Sequence, residues 1–131
     1  MYRVIVAGTR EFDNYSLLRM KLTDYLLPIP NEEIEIISGT ARGADKLGEQ
    51  YASDYNLKCI KFPADWNTYG KSAGYRRNAE MAKYASQEHG VLFAFWDGKS
   101  KGTGHMIKTM QIKKKRYRVF NYNGEEIMKG G

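Results

Sequence analysis

Four times along this chain a short apolar run breaks at a loop of glycine, hydroxyl and basic residues and hands over to a helical pattern. A chain that alternates in this way between a period near two and a period near 3.6 is committed to strands covered by helices. The first run spans residues 2–7 and ends at Gly8. Asp13 or Asn14 then caps a helix that reaches Leu27 and is stopped by Pro28, with Leu18, Leu22, Tyr25 and Leu26 on its inner face. Residues 34–38 form a second strand, and from Ala44 the positions Leu47, Tyr51, Ala52 and Tyr55 recur at helical spacing. Residues 57–62 make a third strand. After a polar loop, a helix over 72–86 turns Asn78, Met81, Ala82 and Ala85 inward.

Residues 91–96 carry no charge, which predicts a central strand buried on both faces. A helix over 103–114 and a fifth strand over 117–122 follow. Asn123-Gly124 is a hairpin turn signal, so residues 125–128 return as a short antiparallel edge strand, and Gly130-Gly131 reads as a frayed end. Each right-handed crossover lays its helix on the sheet. The expectation is therefore an α/β three-layer sandwich, a mainly parallel five-stranded sheet with helices on both faces.

The length, 131 residues, allows one domain over 1–131 and no second of ordinary size. With 42% hydrophobic and 27% charged residues, disorder and fibrous repeats are excluded. No apolar stretch approaches a bilayer span and no signal peptide precedes the first strand, so a cytoplasmic protein without a membrane partner is expected. Cys59 is the single cysteine, and neither His89 nor His105 has companions at ligand spacing; no metal or cofactor is implied. Lysine and arginine exceed aspartate and glutamate by 21 to 15, which favours an anionic partner.

In a doubly wound sheet the ligand lies beyond the carboxyl ends of the strands, where connections diverge. The loops found there are Gly8-Thr9-Arg10, Ser38-Gly39-Thr40-Ala41-Arg42-Gly43-Ala44-Asp45, Ala64-Asp65-Trp66 with Gly70-Lys71-Ser72, and Ser100-Lys101-Gly102-Thr103-Gly104. Glycine admits a ligand close to the backbone, hydroxyls and amides donate to phosphate oxygens, and the helix that follows aims its positive end at the anion. Arg77 and Asn78, on the first turns of their helix, point toward the same crevice, although Asn78 also suits a local bond that holds a neighbouring loop. Trp66 suits stacking on a base, whereas Trp96 suits packing. Asp45, Asp65 and Asp97 are either acceptors for ribose hydroxyls or caps and turn residues.

Other motifs are excluded or weak. Gly70-Lys71-Ser72 lacks the earlier glycine of a triphosphate-binding loop, since Asp65 stands in its place, and Gly8 opens no Gly-x-Gly-x-x-Gly. The basic run Lys113-Lys114-Lys115-Arg116, with Arg118, is either a nucleic-acid contact or a solvated helix end; no aromatic series accompanies it, which favours the second.

Taken together and in order, Gly8-Thr9-Arg10 with Phe12 and Asp13, the loop from Ser38 to Asp45, Ala64-Asp65-Trp66 with Gly70-Lys71, Ala73-Gly74 with Arg77-Asn78 and Met81, and Ser100-Lys101-Gly102-Thr103 give the chain a resemblance to the YspA-like, YpsA-related branch of the SLOG superfamily. That Rossmann-like group also includes the Lonely Guy phosphoribohydrolases and the DNA-processing protein A domain. The resemblance runs from about Tyr2 to Phe120 and implies a pocket for a nucleotide or nucleotide-derived ligand, with a homo-oligomer compatible. Lonely Guy enzymes carry Gly-Gly-x-Gly-Thr-x-x-Glu and an arginine on the preceding helix. Here Gly102-Thr103 align and Arg77 is the matching arginine, but Met106 stands at the glutamate and Lys99-Ser100 at the first glycine pair. Methionine takes no proton and stabilises no oxocarbenium charge.

The expected function is binding of a phosphate-containing nucleotide derivative, as sensor, carrier or sequestering protein. Gly8, Thr9, Arg10, Ser38, Gly39, Thr40, Arg42, Gly43, Asp45, Asp65, Trp66, Arg77, Asn78, Ser100, Gly102 and Thr103 form the expected site. The alternatives are a phosphoribohydrolase-like hydrolase of an N-glycosidic bond, with Arg77, Glu80 and Asp65 as catalytic candidates, and a DNA-binding module that uses the run near Lys114.

Overall fold

The sheet is built around β1 (Tyr2–Gly8), whose alternate residues serve two cores. Val4 and Val6 face one layer, Ile5 and Ala7 the other, and all four are buried. A computed structural model describes all 131 residues. The remaining strands are β2 (Ile34–Ser38), β3 (Lys58–Lys61), β4 (Gly90–Phe95), β5 (Arg116–Phe120) and β6 (Glu126–Gly130).

Their order is β3-β2-β1-β4-β5-β6, parallel except for β6. β1 and β4 are central neighbours, and the winding reverses between them. The helices are α1 (Tyr15–Leu26), α2 (Ala44–Asp54), α3 (Trp66–Tyr69), α4 (Ala73–Ser86) and α5 (Lys101–Ile112). Leu18 and Leu22 of α1 and Tyr51 and Ala52 of α2 pack with Phe93 and Phe95 on one face. Met81, Ala82 and Ala85 of α4 and Met106, Ile107 and Met110 of α5 pack with Leu92 and Ala94 on the other. Fully buried phenylalanines such as Phe93 and Phe95 each contribute roughly 1.5–3 kcal/mol through removal from water.

Six strands, rather than five, make up the sheet. Asn121 accepts the backbone N–H groups of Asn123 and Glu125, Gly124 takes φ +86°, and the chain folds back to pair along β5. That pairing includes Gly130 against Tyr117, so Gly130 is strand rather than frayed end. The polar loop after β3 also contains α3, a single turn capped by Asp65, whose carboxylate accepts from Thr68 N–H at 3.1 Å. Asn14, not Asp13, caps α1, accepting from Leu17 N–H. α5 begins at Lys101, two residues ahead of the expected start. No helix is long and apolar enough to cross a membrane.

Candidate functional site

The reversal between β1 and β4 parts two neighbouring loops, and a cleft of about 420 Å³ opens between them. Gly8 ends β1 where a side chain would strike the Phe95 carbonyl and lie 2.8 Å from the Ala44 methyl, so glycine alone lets β1, β4 and α2 meet. Phe12 stacks on Phe95 with 4.9 Å between ring centres, which pins the far side of the loop after β1. The Thr9 hydroxyl accepts from Asp97 N–H at 3.1 Å and ties this loop to the one after β4. Arg10, one residue further, is exposed and lines the cleft.

The loop after β2 uses most of its polar groups on itself. Ser38 is fully buried; its hydroxyl donates to Glu49 at 2.7 Å and accepts from Thr40 N–H at 3.0 Å. Gly43 has φ +81°, and a Cβ there would lie 2.5 Å from the carbonyl oxygens of both Thr9 and Arg10. Asp45, on the first turn of α2, accepts from Ala41 N–H at 3.2 Å. Burial pushes its carboxyl up to about 6, and the Arg77 guanidinium opposes that rise.

The loop after β4 is arranged differently. Asp97 accepts the N–H groups of Lys99 and Ser100, both at 2.8 Å, and these bonds hold its carboxyl below the usual range. The Trp96 indole donates to the Ser100 carbonyl at 3.0 Å, and Gly104 N–H donates to the same oxygen. The next three amides, of Lys101, Gly102 and Thr103, have no acceptor within the protein, and no acidic residue occupies the first turn of α5. These amides stand at the positive end of a twelve-residue helix, where the dipole favours negative charge.

Arg77 and Asn78 join the two halves. Arg77 Nη1 donates to the Gly39 carbonyl and Nε donates to the Asn78 side-chain oxygen at 3.1 Å. The Asn78 amide then reaches the Gly102 carbonyl at 3.2 Å and His105 Nδ1 at 3.1 Å. With Asn78 donating, His105 Nδ1 is the acceptor and the ring is neutral; burial lowers its pKa, and Tyr75 stacks on it at 4.1 Å. Asn78 makes the local bond to a neighbouring loop and also lines the cleft.

Nine of the expected residues line this cleft: Gly8, Thr9, Arg10, Asp45, Arg77, Asn78, Ser100, Gly102 and Thr103. A second hollow of about 310 Å³ is lined by Gly39, Thr40, Arg42 and Trp66 and shares Arg10, Ala41 and Arg77 with the first. Arg42 points outward there, 73% exposed, and donates to Glu11 at 3.2 Å. Ser38, Gly43 and Asp65 line neither hollow: the first two shape the loop after β2 and the third caps α3. Glu80 is exposed on α4 and lines neither. The expected list omits Glu11, Ala41, Met81, Lys99 and Met106, which complete the main wall with Ala7 and Asp97. Of these, Lys99 and Met106 carried a signal through their places in the Gly-Thr loop, Ala41 through the loop after β2 and Met81 through the motif that holds Arg77 and Asn78.

Arg10, Arg77 and Lys99 line the main cleft together with Glu11, Asp45 and Asp97, so cations and carboxylates are equal in number there. The excess positive charge of the chain therefore lies outside it. An anion in this cleft depends on aimed amides and guanidinium groups, not on bulk charge.

A mainly parallel sheet wound outward from β1 and β4, with helices on both faces and glycine loops meeting at the reversal, defines a three-layer α/β domain. Comparison with known proteins places the chain more narrowly: it belongs to the YspA, cpYpsA-related SLOG family, whose model matches residues 2–69. That span holds the loops after β1, β2 and β3 and ends before Arg77 and the α5 loop. The gene 61 protein of Mycobacterium phage D29 is 32% identical over 116 residues, covering 85% of this chain and 90% of that protein. No solved structure matches.

Proposed function

We propose that this protein binds a nucleotide or nucleotide-derived phosphate compound in the cleft between β1 and β4. The observation that carries the reading is the start of α5, where the amides of Lys101, Gly102 and Thr103 are unpartnered and Gly102 and Thr103 line the cavity that also receives Arg10 and Arg77. An anion at a helix start gains about 0.3–1 kcal/mol from the dipole, and hydrogen bonds to charged groups add roughly 1.5–3 kcal/mol each. Membership of the family supports a nucleotide-related ligand.

Binding, as sensor, carrier or sequestering protein, fits this chain better than turnover. Met106, at the position of the Lonely Guy glutamate, lines the cleft and supplies no carboxylate. Asp65 is engaged as a helix cap, and Glu80 lies outside the cleft.

A thermal-shift panel of nucleoside mono-, di- and triphosphates tests the proposal. A ligand that prefers the native state adds RT ln(1 + [L]/Kd) to stability, so at least one nucleotide raises Tm, and Arg77→Ala diminishes that rise. The absence of any shift at millimolar ligand would overturn the reading. Chromatography of the same mixtures should return the nucleotide intact; released base would show turnover.

A further inference from the structure

The main cleft holds one group that an anion site does not require. Asp45 is only 5% exposed, yet its side chain forms part of the cavity wall. The single hydrogen bond donated to its carboxylate comes from Ala41 N–H. Arg77 is near, since a Cβ on Gly39 would lie 2.8 Å from both Arg77 Nη1 and Asp45 Oδ2, but Nη1 donates to the Gly39 carbonyl instead. An ionised carboxylate offers about four acceptor positions. Asp45 thus keeps most of its acceptor capacity for whatever enters the cavity, and buried acceptors without donors are costly.

Its place in the cleft narrows what that donor is. Ala41 and Arg77, the nearest neighbours of the carboxylate, form the wall shared by the two hollows. The free amides of α5 belong to the first hollow, and Trp66, half exposed, belongs to the second. A nucleotide presents phosphate, sugar and ring in that order. With phosphate at α5 and the ring toward Trp66, the part that passes Asp45 is the sugar. A phosphate at this carboxylate would be repelled, whereas a vicinal diol donates two hydrogen bonds to it.

We infer that Asp45 reads the sugar hydroxyls, so that the cleft selects ribose-type ligands over their 2′-deoxy counterparts. This rests on the phosphate-binding reading above and adds the class of sugar to it. A proton balance accompanies the selection. The groups that act on Asp45 are Arg77 from α4, Arg10 from the loop after β1 and Glu49 from its own helix, and burial outweighs them in favour of the protonated form. Hydroxyl donors favour the ionised form, so binding of a ribose ligand near pH 6 expels more of this proton than binding of a deoxyribose ligand.

The test uses three base-free probes on the full chain by titration calorimetry: inorganic phosphate, ribose 5-phosphate and 2-deoxyribose 5-phosphate. The wild type should prefer ribose 5-phosphate by about tenfold or more, as a site built to bond a hydroxyl does. Asp45→Ala should bring the preference close to one. If that variant fails to fold, titration of the wild type at pH 6 in two buffers of different ionisation enthalpy serves instead: ribose 5-phosphate should release more protons than its deoxy analogue, and the titration of the phosphate itself cancels in the difference. Equal affinities and equal proton counts, with inorganic phosphate still bound, would overturn the role of Asp45 and leave the phosphate site standing. No binding of any probe or of any nucleotide in the thermal-shift panel would overturn both.

Discussion

The loops after β2 and β4 carry the same ingredients, glycine, hydroxyl and a basic residue ahead of a helix, but present opposite ends of their chemistry to the cleft. After β2, Ser38 donates to Glu49 and accepts Thr40 N–H, and Asp45 accepts Ala41 N–H, while the first-turn amides of α2 are as unpartnered as those of α5; the difference lies in a side chain. The carboxylate of Asp45 already occupies the start of α2. After β4 the carboxylate sits one step earlier, in Asp97, where it organises the turn, and the next three amides remain free. With the amides of both helix starts free, it is the first-turn carboxylate that sets the two apart, since a negative charge there opposes an anion that the helix dipole attracts. On the proposed reading the two loops divide the work, one receiving charge and the other receiving hydroxyls.

That division can be broken at its strongest point by Thr103→Asp, which gives α5 the first-turn carboxylate that α2 has. Like-charge contact costs several kcal/mol, so nucleotide affinity measured by calorimetry should fall by about 1,000-fold. Unchanged affinity would dissociate the α5 start from binding. The glycines sharpen the same contrast. Gly43→Ala forces a side chain into φ +81° against two carbonyl oxygens and should cost about 3 kcal/mol in urea unfolding. At Gly102 a Cβ meets nothing within 4 Å, and alanine there should change stability by no more than about 0.5 kcal/mol.

Asp45 supplies a pH signature. Its folded carboxyl titrates at about 6, above the ordinary 3.8, so the protonated form is the one the fold favours. Its contribution is full below the ordinary value and is lost as pH rises through 6. The stability of wild type relative to Asp45→Asn should thus decline by about 2–3 kcal/mol between pH 4 and pH 7. A flat difference would place the carboxylate in water. The smallest effect belongs to Arg42→Ala. An exposed arginine paired only with an exposed Glu11 should alter nucleotide affinity by about twofold or less, while Arg77→Ala lowers it by about tenfold or more.

Much of this architecture was legible in advance. The uncharged run at 91–96 predicted a central strand, and β4 lies beside β1 with Val91 to Phe95 buried. The loops expected to converge do so, because every parallel strand delivers its carboxyl end to the same rim. The assignments within those loops were less legible. Ser38 and Thr9 look alike on paper as phosphate donors, yet their hydroxyls are committed to Glu49, 11 residues away, and to Asp97, 88 residues away. Arg42 and Arg77 are equal members of the expected site, yet Arg42 pairs with Glu11 at the rim of the second hollow, whereas Arg77, from a different helix, lines both hollows. The turn at Trp66–Tyr69 was hidden because one capped turn leaves no periodicity to detect.

Periodicity and turn chemistry are local, so the chain alone specified strands, helices, the order of layers and the rim at which a ligand would lie. Which donors at that rim stay unspent is decided by partners brought together from distant parts of the chain. Only the folded arrangement brings Gly102 and Thr103 to the main cleft, sets Asp45 beside Arg77 and pairs Arg42 with Glu11, because a hydrogen bond depends on separation in space and not along the sequence.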